Sequence, residues 1–480
     1  MPENGDRELT FAQAIREALA EEMRRDPRVF ILGEDIAEAG HPFKVLTGLV
    51  EEFGAQRVLD TPISEAGFTG IAVGAAMTGM RPVIDIMFGD FIGLTMDQMV
   101  NQAAKIHYMS GGKWKAPLVM RTTLGATRRS AAQHSQSLHA WFCHIPGLKV
   151  VMPSTPFDAK GLLKSAIRDD NPVVVFEDKM MYRLKGPVPE EEYTIPLGVA
   201  DIKREGSDIT IIATSSMVQV ALGAAMTGMR PVIDIMFGDF IGLTMDQMVN
   251  QAAKIHYMSG GKWKAPLVMR TTLGATRRSA AQHSQSLHAW FCHIPGLKVV
   301  MPSTPYDAKG LLKSAIRDDN PVVFFEDKMM YRLKGAVPEE EYTIPLGVAD
   351  IKRAGSDITI IATSSMVQVA LGAASLLEES GISAEVVDPR TLWPLDEKTL
   401  VESARKTSRV IVVDEGYGRY GVTAEIASVI QENAFFDLEA PVKRMGAMHV
   451  PIPFSPPLED VTVPTEKTVA EAARVLCGAK

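Results

Sequence analysis

Leu59-Asp60-Thr61-Pro62-Ile63-Ser64-Glu65-Ala66-Gly67-Phe68-Thr69-Gly70 is the stretch on which the reading of this 480-residue chain turns. Pro62 and the Ser64-Glu65 pair read as a loop entering a helix, with Ser64 placed to cap the first turn. Gly67, Gly70, Gly74 and Gly79 follow at spacings that keep one face of that helix free of side chains. Each glycine costs about 1 kcal/mol against alanine in a helix, so the spacing points to close approach by another backbone or a ligand. Glu65 falls in the first turn of a largely apolar helix. There it is either a carboxylate set on the helix dipole or an acid held out of water for chemistry.

Working outward, Thr10-Phe11-Ala12-Gln13 is a capping-box pattern that predicts an amphipathic helix through about Arg25. Val29–Leu32 reads as a buried strand ending at Gly33-Glu34-Asp35, and a further strand is predicted at Pro82–Met87. Phe88-Gly89-Asp90-Phe91 reads as a turn, and Thr95-Met96-Asp97-Gln98 as a second capping box opening a helix toward Met109. Strands are predicted near Leu118–Arg121 and Leu148–Met152, with a polar loop around Gln133-His134-Ser135-Gln136 between them. Thr155-Pro156-Phe157-Asp158 combines an N-cap, proline at the first helical position and an acid at the third. Strand and helix alternate, which implies a mostly parallel sheet covered on both faces. Glu190–Arg204, rich in charge and proline, reads as a linker, and a new strand is predicted at Ser207–Ala213.

The text then resets. Residues 74–222 recur as 223–371 with four substitutions: Phe157/Tyr306, Val175/Phe324, Pro187/Ala336 and Glu205/Ala354. The seams share one tripeptide, at Gly74-Ala75-Ala76, Gly223-Ala224-Ala225 and Gly372-Ala373-Ala374. The period is far longer than the 20–50 residues of solenoid repeats, so this is a tandem copy and not a repeat architecture. From Ser356 onward the chain runs once, with strands predicted at Ile358–Ala362, Ala384–Val387, Arg409–Val413 and Val442–Arg444 and a last helix near Lys467–Leu476.

Length calls for more than one core. Hydrophobic residues at 46% and charged residues at 22% exclude a disordered chain. A net charge of −8 without a basic run argues against a nucleic-acid surface. No apolar run approaches the roughly 18 residues of a membrane span, and Met1–Arg7 lacks a signal-peptide core. Cys143, Cys292 and Cys477 form neither a disulfide nor a metal pattern, so a cytoplasmic location is expected.

Ile63-Ser64-Glu65-Ala66-Gly67-Phe68-Thr69-Gly70-Ile71 resembles the signature of beta subunits of the thiamine-diphosphate-dependent 2-oxo acid dehydrogenases. That group includes the pyruvate, branched-chain and acetoin enzymes. With the copy set aside, the resemblance covers almost the whole chain. It implies an α/β protein: a pyrimidine-side thiamine-diphosphate-binding domain with a parallel sheet, and a transketolase-like carboxy-terminal α/β domain. The boundaries then fall at 1–205 for the first domain, 206–354 for the inserted partial copy and 355–480 for the last domain. Linkers tolerate insertion better than packed helices, which favours 1–205 with 355–480 as the native pair and the copy as excess.

The resemblance also implies roles. Glu65 would hold a ring nitrogen of the cofactor's aminopyrimidine, a contact that needs a carboxylate in a dry site. Phe91 would pack near the cofactor ring, and is otherwise a core aromatic. His134 would serve proton transfer or positioning during acyl transfer to a lipoyl group. His107, His139 and His144 gain no such role. Leu118, Ala166, Ile167, Asp169 and Asn171 line up with a structural potassium site of some relatives, and otherwise form a solvated turn. Phe240 and His283 repeat the motifs in the copy, but Thr214–Leu222 before it holds no acid.

In the superfamily this chain resembles, a Gly-Asp-Gly run followed by an asparagine holds magnesium and the cofactor's diphosphate, and this chain lacks that run. They are therefore expected mainly on an alpha subunit, in a heterotetramer that hands the acyl group to a lipoyl-bearing dihydrolipoyl acyltransferase. The expected activity is oxidative decarboxylation of a 2-oxo acid, pyruvate foremost. The alternatives are an acetoin dehydrogenase beta subunit and a subunit impaired by the duplication. Gly416-Tyr417-Gly418-Arg419-Tyr420-Gly421 also satisfies the dinucleotide pattern G-x-G-x-x-G, but no acid closes the next strand to hold a ribose.

Overall fold

Thr10 accepts a hydrogen bond from the Gln13 amide at 3.2 Å while Gln13 receives one from the Thr10 amide at 2.8 Å. This reciprocal cap opens the first helix where the sequence places it. The computed structural model describes residues 7–125, 130–131, 134–199, 232–235, 237–275 and 278–478. The predicted strand at Ser207–Ala213 lies outside them. The chain divides into two units, Met1–Val220 and Ala221–Lys480.

In the first unit the elements run β1 (Arg7–Thr10), α1 (Phe11–Arg25), β2 (Val29–Gly33), α2 (Leu49–Phe53), β3 (Val58–Asp60), α3 (Glu65–Met77) and β4 (Arg81–Ile86). They continue as α4 (Ala104–Met109), β5 (Val119–Leu124), α5 (His139–Cys143), β6 (Lys149–Val151), α6 (Pro156–Arg168), β7 (Val173–Asp178) and β8 (Lys185–Val188). Six strands form one parallel sheet in the order β3-β2-β4-β5-β7-β6, and β1 pairs antiparallel with β8.

Two helices show how the pattern folds. In α6, Thr155 accepts from the Asp158 amide at 3.1 Å and Pro156 starts the helix, as its sequence predicts. α1 buries Phe11, Ile15, Leu19 and Met23 along one face; each such side chain contributes about 1.5–3 kcal/mol on burial. α1 lies against α6, where the buried ammonium of Lys160 reaches Glu17 at 2.6 Å and Glu21 at 2.8 Å.

Beneath α1 the sheet carries a buried ionic cluster. Arg121 Nε donates to Glu177 at 2.8 Å, its other nitrogens bond Glu177 and Asp85, and the Tyr182 hydroxyl donates to Glu177 at 2.8 Å. His41 Nε2 stands 3.5 Å from Asp85, and burial pushes its imidazole down to about 3, so it stays neutral. Gly33 is required in β2, because a Cβ there would sit 2.5 Å from the Asp85 carbonyl oxygen of β4.

Local rules fail at two places. Thr95 caps nothing: its buried hydroxyl donates to Ile92 O at 2.8 Å. Gly89–Thr95 forms 3-10 turns, Asp97–Ala103 is a π-helix, and a regular α-helix resumes only at α4. Ser64 stands at the N-cap of α3 but its hydroxyl makes no capping bond; a Cβ on Gly67 would meet it at 2.7 Å.

In the second unit a five-stranded sheet runs Thr391–Trp393, Lys298–Val300, Val322–Asp327, Val268–Leu273, Val232–Ile235. Four of these strands belong to the copy. The first is lent by the carboxy-terminal region and pairs antiparallel. The second sheet, Asp350–Arg353, Ala384–Asp388, Ile358–Ala362, Val410–Tyr417 and Lys443–Ala447, is parallel except at its first strand, and its inner strands match the sequence expectation. Within this unit the copy packs on the carboxy-terminal region. Asp307 takes Lys352 at 2.7 Å and Arg390 at 2.8 Å, Ser365 donates to Asp327 at 2.6 Å, and His288 meets Asp414 at 3.0 Å.

Candidate active site

Every candidate residue for the chemistry sits at or just beyond the carboxyl end of a parallel strand, the end where open α/β sheets bind ligands. Glu34 follows β2, Glu65 follows β3, Phe88 and Phe91 follow β4, His134 follows β5 and Lys179 follows β7.

The first cluster is a pair of acids. Asp60, the last residue of β3, accepts from the Ile36 and Ala37 amides at 2.7 and 2.8 Å, while the Thr61 amide donates to Gly33 O at 2.9 Å. These bonds fold the loop after β2 over the end of β3 and bring Glu34 beside Glu65. Both side chains are buried. The Ser64 amide donates to the Glu34 carboxylate, yet burial and then the charge of Glu65 push Glu34 up to about 7. One Glu34 oxygen, Oε1, is buried without a hydrogen-bond partner. Sequence reading gave Glu34 no role. The signal lay in Gly33-Glu34-Asp35 closing a buried strand.

A testable pH dependence follows. Glu34 is raised above its unfolded value of about 4.5, so the folded chain binds the extra proton between pH 4.5 and 7. Its contribution to stability is full below pH 4.5 and is lost as pH rises through 7. Glu34→Gln is expected to raise stability at pH 8 relative to wild type and to flatten the profile between pH 4.5 and 7. Urea unfolding across that range measures it, and an unchanged slope would refute the assignment.

The second cluster is aromatic. The His134 ring meets Phe88 and Phe91 edge to face, with centroids 4.5 and 5.5 Å apart. Burial and the nearby Lys179 ammonium hold its imidazole below the usual histidine range, so it is neutral at pH 7. The loop that carries it is held by Asp90, which accepts from the Ser135 amide at 3.2 Å, the Gln136 amide at 3.1 Å and Gln136 Nε2 at 3.0 Å. Burial drives Asp90 up to about 7 against those bonds. Lys179 donates to His134 O and lies 5.5 Å over Phe88. Asp90 and Lys179 are thus positioning residues that the sequence did not reveal.

α3 packs on both Gly89–Thr95 and Asp97–Ala103, which draws the glutamate helix to the aromatic segment. Its glycine face is largely uncovered by this chain's own described residues. A Cβ on Gly70 would only touch Gln98 at 3.7 Å, Gly74 faces open space, and Gly79 lies past the helix end with φ +99°. Ile63 and Ile71 are exposed at its amino-terminal end and middle.

The proposed cation residues gather at the opposite, amino end of the strands. Leu118 O accepts from Val173 N at 3.0 Å, Ala166 O from Asp169 N at 3.2 Å and Ile167 O from Arg81 at 3.0 Å. Asp169 Oδ1 accepts from the Asn171 amide at 2.8 Å and its Nδ2 at 3.0 Å, and Lys149 pairs with the other oxygen. Burial works to raise Asp169, but the bonds from Lys149 and Asn171 hold it below the usual carboxylate range.

The copy repeats the aromatic cluster. His283 lies 4.9 Å from Phe237 and 5.4 Å from Phe240. Gly416, inside the strand Val410–Tyr417, has protein on its side-chain face: a Cβ there would stand 2.6 Å from Asp414 and 3.0 Å from His288, while a Cβ on Gly418 beyond the strand would meet open space. Among the described residues no helix is long and apolar enough to cross a membrane.

Comparison with known proteins gives the family. The transketolase pyrimidine-binding domain matches residues 7–185 and again 209–334, and the transketolase C-terminal domain matches 347–469. The 2-oxoisovalerate dehydrogenase subunit beta of Bacillus subtilis (strain 168) is 33% identical over 98% of this chain and 98% of its own length. The pyruvate dehydrogenase E1 component subunit beta of Rickettsia felis gives the same figures. The acetoin:2,6-dichlorophenolindophenol oxidoreductase subunit beta of Bacillus subtilis (strain 168) is 52% identical over 56% of this chain and 79% of its own. Two transketolase-type domains, the paired acids at the strand ends and these full-length relatives lead to one conclusion: the chain belongs to the beta subunits of the thiamine-diphosphate-dependent 2-oxo acid dehydrogenase first component.

Proposed function

We propose that this chain works with an alpha subunit to cleave the carbon–carbon bond beside a carbonyl and pass the acyl group to a lipoyl-bearing acyltransferase. The observation that carries the reading is the buried Glu34–Glu65 pair with its orphaned oxygen. That donor set fits the aminopyrimidine of thiamine diphosphate, whose ring can present a proton to a carboxylate. When bound, the cofactor supplies a nucleophilic carbon and an electron sink. Glu65 would hold the ring nitrogen, and Glu34, poised near neutrality, would hold or release a proton beside it. Phe91 would wall the site, and neutral His134 would accept or donate a proton at its imidazole. The exposed Ile63 and Ile71 suit burial by the alpha partner, which would also supply most of the magnesium-diphosphate contacts.

For substrate, the high identity to two acetoin subunits, 52% over 269 residues and 50% over 265, supports acetoin; the 33% to the pyruvate and 2-oxoisovalerate subunits is taken over 470 residues, through the copy. A potassium ion at Leu118, Ala166, Ile167, Asp169 and Asn171 belongs to the same proposal; oxygen donors of this kind suit a hard cation. The test is 2,6-dichlorophenolindophenol reduction by the full chain co-expressed with its alpha subunit, on acetoin, pyruvate and branched 2-oxo acids. Assays are run with and without thiamine diphosphate, and in potassium or sodium buffer. Cofactor-dependent turnover, fastest on acetoin and slower in sodium, is the expected result. A stable alpha complex without turnover would replace this reading with a structural subunit impaired by its duplication.

A further inference from the structure

One loop ties the two clusters of the site together. Residues 34–48 run as a strap from the end of β2 to the start of α2, pinned by Ile36, Val45 and Leu46 in the core that α1 also fills. At its amino end Asp60 holds the Ile36 and Ala37 amides, which sets Glu34 beside Glu65. Its other half is folded by the amides of His41, Lys44 and Leu46, which donate to Asp35 O at 2.9 Å, His41 O at 2.8 Å and Gly40 O at 3.2 Å. Asp35, His41 and Lys44 take φ values of +50°, +72° and +60°, a left-handed backbone that residues with side chains rarely adopt. Such conformations persist where packing over-determines them, and they gather at functional sites. His41 is fully buried, and its Nδ1 accepts from the Phe43 amide at 3.1 Å. The imidazole proton therefore sits on Nε2, which faces Asp85 at 3.5 Å. That bond aims the Phe43 ring, which lies 5.5 Å from the His41 ring, 5.3 Å from Tyr182 and 5.8 Å from Phe88, the last edge to face. Phe88 in turn meets His134 edge to face at 4.5 Å.

We infer, on the reading of His134 as a residue of the acyl-transfer step, that Phe43, set by His41, is a positioning residue for that step. It acts through Phe88, which it backs, and so fixes where His134 stands relative to the Glu34–Glu65 pair. Rings packed in series pass on a displacement, because a contact loses much of its attraction when the gap widens by about 0.5–1 Å. With Phe43 in place, Phe88 is held between it, His134 and the Lys179 ammonium 5.5 Å over its ring. Truncating Phe43 frees space into which Phe88 turns, and the His134 edge opens to water. The same strap carries Glu34 at one end and Phe43 toward the other, so the spacing of acid and imidazole is set within a single loop. A misplacement of about 1 Å at a reacting group is worth about a hundredfold in rate.

Two measurements test it: the rate at which diethyl pyrocarbonate carbethoxylates His134 in the full chain, and kcat and KM of the alpha complex on acetoin. Cleavage before aspartate leaves His134 in the peptide ending at Phe157 and His283 in the one ending at Tyr306, so fragmentation tells the two apart and His283 serves as the internal reference. Phe43→Leu is expected to raise the His134 rate over that of His283 about fivefold or more, and to lower kcat about 10–100-fold with KM within about threefold. Phe11→Leu is the control. Among the described residues its ring contact is Tyr182, at 6.3 Å, so it should lower stability in urea without moving the His134 rate. His41→Asn keeps a side-chain acceptor for the amide two residues on and tolerates a left-handed backbone; it should stay within about threefold of wild type. His41→Gly keeps the backbone alone and should match Phe43→Leu. An unchanged His134 rate in Phe43→Leu, or the same rise in Phe11→Leu, overturns the inference. A raised rate with unchanged kcat overturns it too, since the placement of His134 then has no bearing on the reaction. Absence of turnover by the wild-type complex would instead sink the proposed function, and the His134 rate would still decide whether Phe43 places that ring.

Discussion

Glu65→Gln is expected to lower cofactor-dependent turnover by about 10²–10³-fold, the cost typical of removing one preorganised electrostatic contact from a dry site. The substitution keeps the shape of the side chain and removes only its charge. Glu65 is 7% exposed at the first turn of α3, where bulk water screens a charge poorly. The same change should not destabilise the fold. Glu34 is raised partly by the charge of Glu65, so Glu65→Gln relieves a repulsion, and the Glu34 titration should move back toward the usual carboxylate range. Steady-state turnover of the alpha complex, paired with urea unfolding at pH 8, separates the two effects. A loss of turnover matched by a loss of stability would mean that Glu65 is a structural acid. Turnover within threefold of wild type would remove it from the chemistry.

Much of the fold was legible because it depends on neighbours in sequence. The capping box at Thr10, the Thr155-Pro156-Asp158 start of α6 and the strands of the carboxy-terminal region each carry their own local signal, and each stands where its residues place it. What escaped depends on residues distant in sequence. Thr95 has the spacing of a cap, but it is buried against Met120, and its hydroxyl turns back to Ile92 O. Glu34 lies 31 positions before Glu65, and only Asp60, by gathering the Ile36 and Ala37 amides, brings the two together. Asp90 read as part of a turn, because no spacing announces that its carboxylate collects three bonds from the Ser135-Gln136 loop. Glu65, Phe91 and His134 were singled out by resemblance to a signature. The acids and the lysine that position them became visible only when the strand ends were assembled.

The duplication also provides its own control for the energetics of the ionic cluster. Arg121→Met is expected to destabilise the first unit by about 3–5 kcal/mol, because it strands the buried carboxylates of Asp85 and Glu177 without a cation. Arg270→Met removes the corresponding guanidinium in the copy, where Phe324 replaces Val175 opposite it on the paired strand. There the arginine is 31% exposed and Asp234 is 55% exposed, so water and salt screen the charges left behind. The expected cost is within about 1 kcal/mol, the range of surface ion pairs. Chemical denaturation followed by hydrogen exchange at Val119–Leu124 and at Val268–Leu273 assigns each loss to its strand. If both substitutions cost the same, burial is not what gives the cluster its weight. A large cost at Arg121 alone would show that the same ionic partners stabilise the chain where residues 7–60 exclude water from them.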